Sequence, residues 1–173
     1  MRTITLFFFF VVLCFSGSKL MAQDEMQSPP PIQNETFEMA LGEWVSEPYT
    51  MMGFNITQDQ NKIYMAHNGQ FMVVEVNATM GDGSNYTATI FCTLDGEGNV
   101  KAWAFDTWGY YGRMDYTGSV KGNVMTLSGS NEFTSESRVI TIEKDKMIHN
   151  VDFTLKLPTG EMTESMEITY NRK

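Results

Sequence analysis

Hydrophobic and polar residues follow two different patterns along this chain, and the change comes at Trp44. Up to that point, Phe37, Ala40, Leu41 and Trp44 are spaced at i, i+3, i+4 and i+7, which places them on one face of a helix. After it, apolar residues recur at every second position, as they do in β-strands. A helix this short is not stable alone, so the pattern predicts a short helix that covers one end of a sheet.

Turn-forming residues divide the rest of the chain into segments of strand length. Asn68-Gly69, Gly81 to Ser84, Asp95 to Asn99 and Lys121 to Asn123 are examples of these turns. They separate about ten alternating segments of roughly 6 to 11 residues. No intervening segment is long and apolar enough for a crossover helix, so the strands are expected to be antiparallel and up-and-down. The predicted fold is all-β, a closed barrel of about ten strands, with a two-sheet sandwich as the alternative.

The alternation also indicates which side chains point into the barrel. Tyr86, Ala88, Ile90 and Cys92 share the apolar face of one strand, and a shift of one residue would reverse that face. We assign the more apolar face of each strand to the interior, where a small molecule would meet a mostly apolar wall with a few polar groups. The predicted ligand-binding residues are Met72, Ile90, Trp103, Tyr116, Arg138, His149, Phe153, Glu164 and Met166.

The direction of Trp103 is not settled by alternation. Lys101 shares its face, whereas Ala102 and Ala104 occupy the other. Residues 103–111 are the most aromatic stretch of the chain, with two possible roles. The rings either seal the end of a barrel or form a rim that stacks on a flat ligand or a sugar.

Three polar residues, Arg138, His149 and Glu164, lie at positions where the alternation calls for an apolar side chain. A buried charge needs a partner, and Arg138 and Glu164 can satisfy each other. They are expected to form an internal salt bridge near the mouth of the barrel or a polar anchor for a ligand. His149 is either a core or rim histidine or a ligand-binding residue.

The two ends of the β segment suggest how the barrel closes. Leu41-Gly42-Glu43-Trp44 opens it, and Met166-Glu167-Ile168-Thr169-Tyr170-Asn171-Arg172-Lys173 ends it. Gly42 can end the helix with a positive φ, where a residue with a Cβ would be strained. The guanidinium of Arg172 can lie across the indole face of Trp44. We therefore predict Gly42, Trp44 and Arg172 as the residues of structural closure.

A G-x-W start and an arginine at the end of a β meander resemble the calycin superfamily, the lipocalins and their relatives. The sequence is most similar to a bacterial domain family of unknown function with the same L-G-x-W start and M-E-I-T-Y-x-R end, over residues 36–173. The resemblance implies a lipocalin-like barrel that binds a small, largely apolar molecule. Nitrobindin-like calycins hold haem through one inward histidine, so His149 is the candidate haem ligand; otherwise no cofactor and no metal site is expected.

The N terminus has the pattern of a secretory signal peptide. A short positive start precedes a continuous apolar run from Ile4 to Phe15, and Ala22 is a suitable residue before the cut. The run is too short to span a bilayer as a mature helix. Lipid attachment at Cys14 is the alternative, but bulky Leu13 precedes it. The protein is expected to be exported, either periplasmic or secreted.

The chain therefore divides into a signal peptide over residues 1–22, a Pro-rich tether over 23–34 and a calycin-like barrel domain over 35–173. The net charge of −9 argues against nucleic acid and anionic membranes as partners, and no stable membrane insertion is expected after signal removal. Only Cys92 would survive processing, which excludes an internal disulfide. The oligomeric state stays open.

The expected function is binding of a small, largely apolar molecule inside the barrel. One alternative is an enzyme that uses Asp106 or Glu164 as a general acid or base, because a carboxyl in an apolar cavity has a raised pKa. The other alternative is a packed barrel that acts through its surface as an envelope interaction module. The chain contains no G-x-S-x-G, H-E-x-x-H or Gly-rich phosphate loop, which lowers the expectation of catalysis.

Overall fold

The structure is a computed structural model that describes residues 29–173. The predicted signal peptide and residues 23–28 of the predicted tether lie outside this range. The described end of the tether touches the barrel domain, since the backbone N–H of Ile32 donates to the carbonyl of Gly69 at 2.9 Å. Within residues 29–173, no helix has the length and apolar character needed to cross a membrane.

One short helix and eleven strands make up the described chain. Helix α1 comes first, and all the strands follow it. The element bounds are α1 Glu35–Ala40, β1 Gly42–Ser46, β2 Tyr49–Met51, β3 Phe54–Ala66, β4 Phe71–Met80, β5 Asn85–Leu94, β6 Val100–Asp106, β7 Met114–Lys121, β8 Val124–Ser130, β9 Thr134–Ile142, β10 Lys146–Leu157 and β11 Gly160–Arg172.

The strands form an antiparallel ring in which sequence neighbours pair from β3 to β11. Strand β1 closes the ring because it pairs with β11 on one side and with β3 on the other. The short strand β2 pairs with the start of β3 and is not part of the closure. The predicted all-β, up-and-down barrel of about ten strands with one short helix is therefore confirmed.

Helix α1 covers the end of the barrel where β1 begins and β11 finishes. The side chain of Asn34 accepts hydrogen bonds from the backbone N–H groups of Thr36 and Phe37, at 3.1 Å each, and so caps the helix. Phe37 and Ala40 are each 2 % exposed because they face the barrel core. The Thr36 hydroxyl donates to the carbonyl of Gly122 in the β7–β8 turn. The helix is thus a lid fixed by a cap, a buried face and one cross-link.

The barrel interior has two unlike halves. The half under α1 is closed and apolar, and its side chains are almost fully buried. Its largest members are Phe37, Trp44, Met72, Val100, Ile142, Met147 and Tyr170. The other half, the open half, carries polar and aromatic side chains, several of which are only partly buried. Helix α1 covers the closed half of the barrel.

Candidate functional site

The closed end is built around contacts of Arg172. Its Cζ lies 4.1 Å from the centroid of the Trp44 ring. Its Nη1 and Nη2 donate to the carbonyls of Leu41 and Met39 at 2.6 and 2.8 Å, which satisfies carbonyls at the C-terminal end of α1. Gly42 has a φ of 126°, and a Cβ there would lie 2.8 Å from Nη1 of Arg172. The structure brings Gly42, Trp44 and Arg172 together in one closure.

The open half has Arg138 near its centre. Arg138 Nε donates to Glu136 Oε1 at 2.7 Å, and its Nη1 donates to His149 Nδ1 at 3.0 Å. The side chains of Arg138 and Glu136 are 24 % and 9 % exposed. Burial by itself would lower the pKa of Arg138, but the Glu136 carboxylate raises it and the net shift is upward. The guanidinium therefore stays charged and is paired with one carboxylate.

The predicted pair of Arg138 and Glu164 is wrong, because Arg138 has Glu136 as its partner. Residues two apart on a strand share a face, and their Cα atoms lie roughly 6 to 7 Å apart. Glu136 can therefore reach Arg138 along β9 itself, whatever the pairing of β9 with its neighbours. Glu164 instead accepts a hydrogen bond from the backbone N–H of Met52. Met52 has a φ of 51° in the β2–β3 turn, and Glu164 thus holds that turn against β11.

His149 is buried between Arg138 and the ring of Tyr170, whose centroid lies 4.7 Å from its own. A guanidinium can only donate, so Nδ1 of His149 must accept, and Nε2 must carry the proton. Burial first, and the charge of Arg138 second, hold the pKa of His149 well below its usual range. The ring is neutral, and its Nε2 has no hydrogen-bond partner among residues 29–173.

This arrangement does not fit His149 as a haem ligand. A histidine that binds iron through Nε2 needs its lone pair there and a proton on Nδ1. In this protein Nδ1 faces the N–H of Arg138, so a proton on Nδ1 would point at another donor. No step of the proposed function therefore passes through haem.

A second polar centre lies at Asp59 on β3. Its Oδ2 accepts hydrogen bonds from the hydroxyls of Tyr49 at 3.1 Å and Tyr170 at 2.6 Å. Its backbone N–H donates to Oγ of Ser46 at 2.9 Å. The residue is 4 % exposed, and its Oδ1 has no partner in the described part of the chain. Burial raises the pKa of Asp59, against the opposing effects of both tyrosine hydroxyls and Arg138.

Asn61 follows on the same face of β3 and is also 4 % exposed. Its Oδ1 is likewise without a hydrogen-bond partner among the described residues. Alternation does not identify Asp59 or Asn61 as inward-facing residues, because residues 57–62 are polar at every position. The signal that could have found them is parity with Ile63, the buried residue two positions further along β3.

The apolar residues of the predicted lining do not all lie in the same part of the protein. Ile90, Tyr116, Phe153 and Met166 point inward, pack on the core and remain partly exposed. Met72 is 1 % exposed and lies deep in the closed half, away from the open interior.

Trp103 was assigned to the ligand-binding wall, and this assignment is wrong. The inner face of β6 carries Val100 and Ala102, which are 0 % and 1 % exposed, so Trp103 projects outward. Its ring lies 6.4 Å from that of Phe71 on the outer surface. Small side chains on the inner face let β6 pack closely on the core, and the large ring is left on the outside.

The loop between β6 and β7 carries aromatic residues at the open end. Trp108, Tyr110 and Tyr111 are 62 %, 75 % and 57 % exposed, so they do not seal the barrel. Asp106 holds the loop, because its Oδ1 accepts from the backbone N–H of Trp108 at 2.8 Å. Its Oδ2 accepts from the hydroxyl of Tyr86 at 2.9 Å. Both oxygens of Asp106 therefore serve a structural role at the mouth.

A shallow groove of about 550 Å³ lies on the outer face of β7 to β10. Hydroxyl and carboxylate groups line it, and none of the predicted ligand-binding residues borders it. Its lining residues are Asp115, Thr117, Ser128, Gly129, Ser130, Ser135, Glu136, Ser137, Asp152 and Thr154. Glu136, the partner of Arg138, is also among the residues that line the groove, whereas Arg138, His149 and Asp59 are not.

Comparison with known proteins supports the fold. No family model matches the chain, and no curated protein does. Among solved structures, Rv2717c from M. tuberculosis superposes with a TM-score of 0.60 and 18 % identity, covering 80 % of this chain and 96 % of that chain. A redesigned β-barrel, mFAP1, bound to DFHBI, gives 0.45 and 12 %, covering 80 % and 100 %. At these identities the likeness to Rv2717c shows a β-barrel fold, and membership of the calycin superfamily stays a prediction.

Proposed function

We propose that this protein is an exported, calycin-like barrel that binds a small organic molecule in the open half of its interior. The observation that carries the proposal is the set of buried polar atoms that have no partner among residues 29–173, namely Asp59 Oδ1, Asn61 Oδ1 and His149 Nε2. Leaving one buried polar atom unsatisfied costs about 1 to 3 kcal/mol. A ligand that supplies the missing partners would recover part of that cost.

Side chains of the open half also keep exposed area that a ligand would contact. Ile90, Tyr116, Phe153 and Met166 point inward, yet each keeps intermediate exposure. The side chain of Arg138 keeps 24 % exposure although it lies among inward-facing residues. In a solid core such residues would resemble Ile142, which is 0 % exposed. A mostly apolar wall with a few convergent polar groups is typical of small-molecule sites.

Binding is better supported than the two alternatives. The carboxylates suggested for catalysis hold structural elements, since Asp106 binds the β6–β7 loop and Glu164 binds the β2–β3 turn. In a fully packed barrel, the inward-facing side chains would be fully buried, whereas Ile90, Tyr116, Phe153 and Met166 are partly exposed. The aromatic side chains of the β6–β7 loop would then border the entrance through which a ligand passes.

The test is uptake of dansylamide, a neutral fluorophore whose emission rises in an apolar site. Ile90→Trp fills the interior and is expected to reduce binding at least about tenfold, which is a loss of about 1.4 kcal/mol. Val139→Trp is the matched control, because Val139 is 39 % exposed on the outer face of β9. Equal binding by both variants and the parent protein would contradict an interior site. Circular dichroism checks that each variant folds.

A further inference from the structure

The charged groups that face the open interior are unevenly balanced. The carboxyls of Asp59, Asp106, Glu136 and Glu164 lie there, with Arg138 as the guanidinium among them. Arg138 is paired with Glu136 at 2.7 Å. The second arginine that faces inward, Arg172, is engaged at the closed end with the carbonyls of α1. The open interior therefore has more carboxyls than cations.

The carboxyls that Arg138 does not neutralise accept hydrogen bonds from uncharged donors. Asp59 accepts from tyrosine hydroxyls, Asp106 from a tyrosine hydroxyl and a backbone N–H, and Glu164 from a backbone N–H. None of these three forms a salt bridge within residues 29–173. A neutral donor stabilises a carboxylate less than a cation does, so the site keeps a residual attraction for positive charge.

The atoms without partners agree with this charge distribution. Asp59 Oδ1 and Asn61 Oδ1 are both acceptors, and their residues are each 4 % exposed. They are two residues apart on one face of β3, so their Cα atoms are roughly 6 to 7 Å apart. A ligand group with several N–H donors can reach both oxygens. An ammonium has three such donors in a compact group.

Aromatic rings surround the same space. Tyr49 and Tyr170 bind Asp59 on β3, while Tyr86 on β5 binds Asp106 at the end of β6. The faces of such rings attract cations, most strongly where water is excluded. The wall beyond them is apolar, with Ile90 and Met166 partly exposed. A positive group on an apolar body fits this combination.

We propose that the ligand is a small organic amine bound as its ammonium ion, with the ammonium at Asp59 and Asn61 and the apolar body against Ile90 and Met166. This inference rests on the proposed function, since it names the chemistry of a ligand in the same interior. The Nε2–H of His149, which has no partner in the described part of the chain, suits a hydroxyl or carbonyl oxygen on the ligand. The outer groove plays no part in the binding.

Three dansyl probes that share one fluorophore test the inference. Dansylcadaverine carries an ammonium, dansylamide is neutral, and dansylglycine carries a carboxylate. Dansylcadaverine is expected to bind about tenfold tighter than dansylamide, the difference that one charged hydrogen bond provides, and dansylglycine weakest. Asp59→Asn is expected to remove the preference for dansylcadaverine over dansylamide. The control is Asp152→Asn, which removes the same charge from the outer groove and should change neither affinity.

Asn61→Asp provides a second test in case Asp59→Asn does not fold, because it adds a carboxylate of the same shape and should strengthen dansylcadaverine binding. If dansylamide or dansylglycine binds most tightly, and Ile90→Trp still abolishes that binding, the amine inference is wrong and the interior binding site stands. Probe binding that Ile90→Trp does not affect would overturn interior binding itself. A preference for dansylcadaverine that survives Asp59→Asn would exclude Asp59 as the ammonium site.

Discussion

The hydroxyl of Tyr170 donates a 2.6 Å hydrogen bond to Asp59, although 111 residues separate them in sequence. Strand β1 lies between their strands, since it pairs with both β11 and β3. The bond therefore crosses the seam where the barrel closes. It also joins the apolar closed half, which contains Tyr170, to the polar centre at Asp59. The Tyr170 hydroxyl thus connects the closed end of the barrel with the polar centre at Asp59.

Tyr170→Phe is expected to destabilise the protein by about 1 to 3 kcal/mol, because it removes a buried donor from a buried carboxyl. The same bond opposes the effect of burial, so its loss should raise the pKa of Asp59 further. Urea denaturation measures the stability. The matched control is Tyr64→Phe, which removes a 2.8 Å bond to Glu75 on the exposed outer face and should cost less than about 0.5 kcal/mol. Equal costs would contradict a special role for Tyr170.

His149 gives the protein a specific dependence on pH. Burial and the charge of Arg138 hold its pKa in the folded state well below the ordinary histidine value of 6.5, so in acid the unfolded chain binds a proton that the folded chain does not. Stability from this group is present above about pH 6.5 and is lost as pH falls below that value. The glutamine of His149→Gln can still accept a hydrogen bond from Arg138 but does not titrate. Between about pH 7.5 and about pH 5, the melting temperature of the parent protein should therefore fall more than that of His149→Gln.

The control for this comparison is His67→Asn in the exposed β3–β4 turn, where a φ of 50° suits asparagine. It should show the same pH profile as the parent protein. If His149→Gln and the parent lose melting temperature in parallel, the neutral, buried state assigned to His149 is wrong.

The sequence predicts the barrel and its closure well, because both depend on local patterns. Period-two alternation predicts the strands. Gly42 and Trp44 in the first strand and Arg172 in the last strand are the residues that meet where the barrel closes. The polar centres are harder to predict. Residues 57–62 have no alternation of their own, so the inward direction of Asp59 follows only from its parity with Ile63 and from the pairing of β3 with β1 and β4. The partner of Arg138 likewise depends on which of two inward carboxylates lies nearer.

Trp44 is expected to be the most costly residue to truncate at the closed end. It is 0 % exposed, its Nε1 donates to the carbonyl of Ala40 at 2.8 Å, and Arg172 covers its ring. Trp44→Ala should lower the free energy of unfolding by about 3 to 5 kcal/mol. Trp108→Ala is the control, because Trp108 is 62 % exposed, and its loss should cost within about 0.5 kcal/mol. Chemical denaturation compares the two, and similar costs would contradict closure through Trp44.

Export is testable at the N terminus. The signal-peptide pattern predicts that the exported protein begins at Gln23, after cleavage behind Ala22. N-terminal sequencing of the exported protein measures the start directly. Ala22→Leu should block cleavage, because the site requires a small residue, and uncleaved precursor should accumulate. A mature chain that starts at a lipidated Cys14 would overturn both the processing and the predicted periplasmic or secreted location.

Glu136 and Glu164 provide the sharpest test of the charge arrangement in the open half. Glu136→Gln leaves the Arg138 guanidinium without its counter-ion, and removal of one partner of a buried pair costs about 3 to 5 kcal/mol. The lower end is expected here, because the side chain of Arg138 keeps 24 % exposure. Glu164→Gln retains an oxygen that can accept from the Met52 N–H, so it should cost less than about 1 kcal/mol. Thermal and urea unfolding compare the two variants, and a larger cost for Glu164→Gln would mean that Arg138 depends on Glu164 after all.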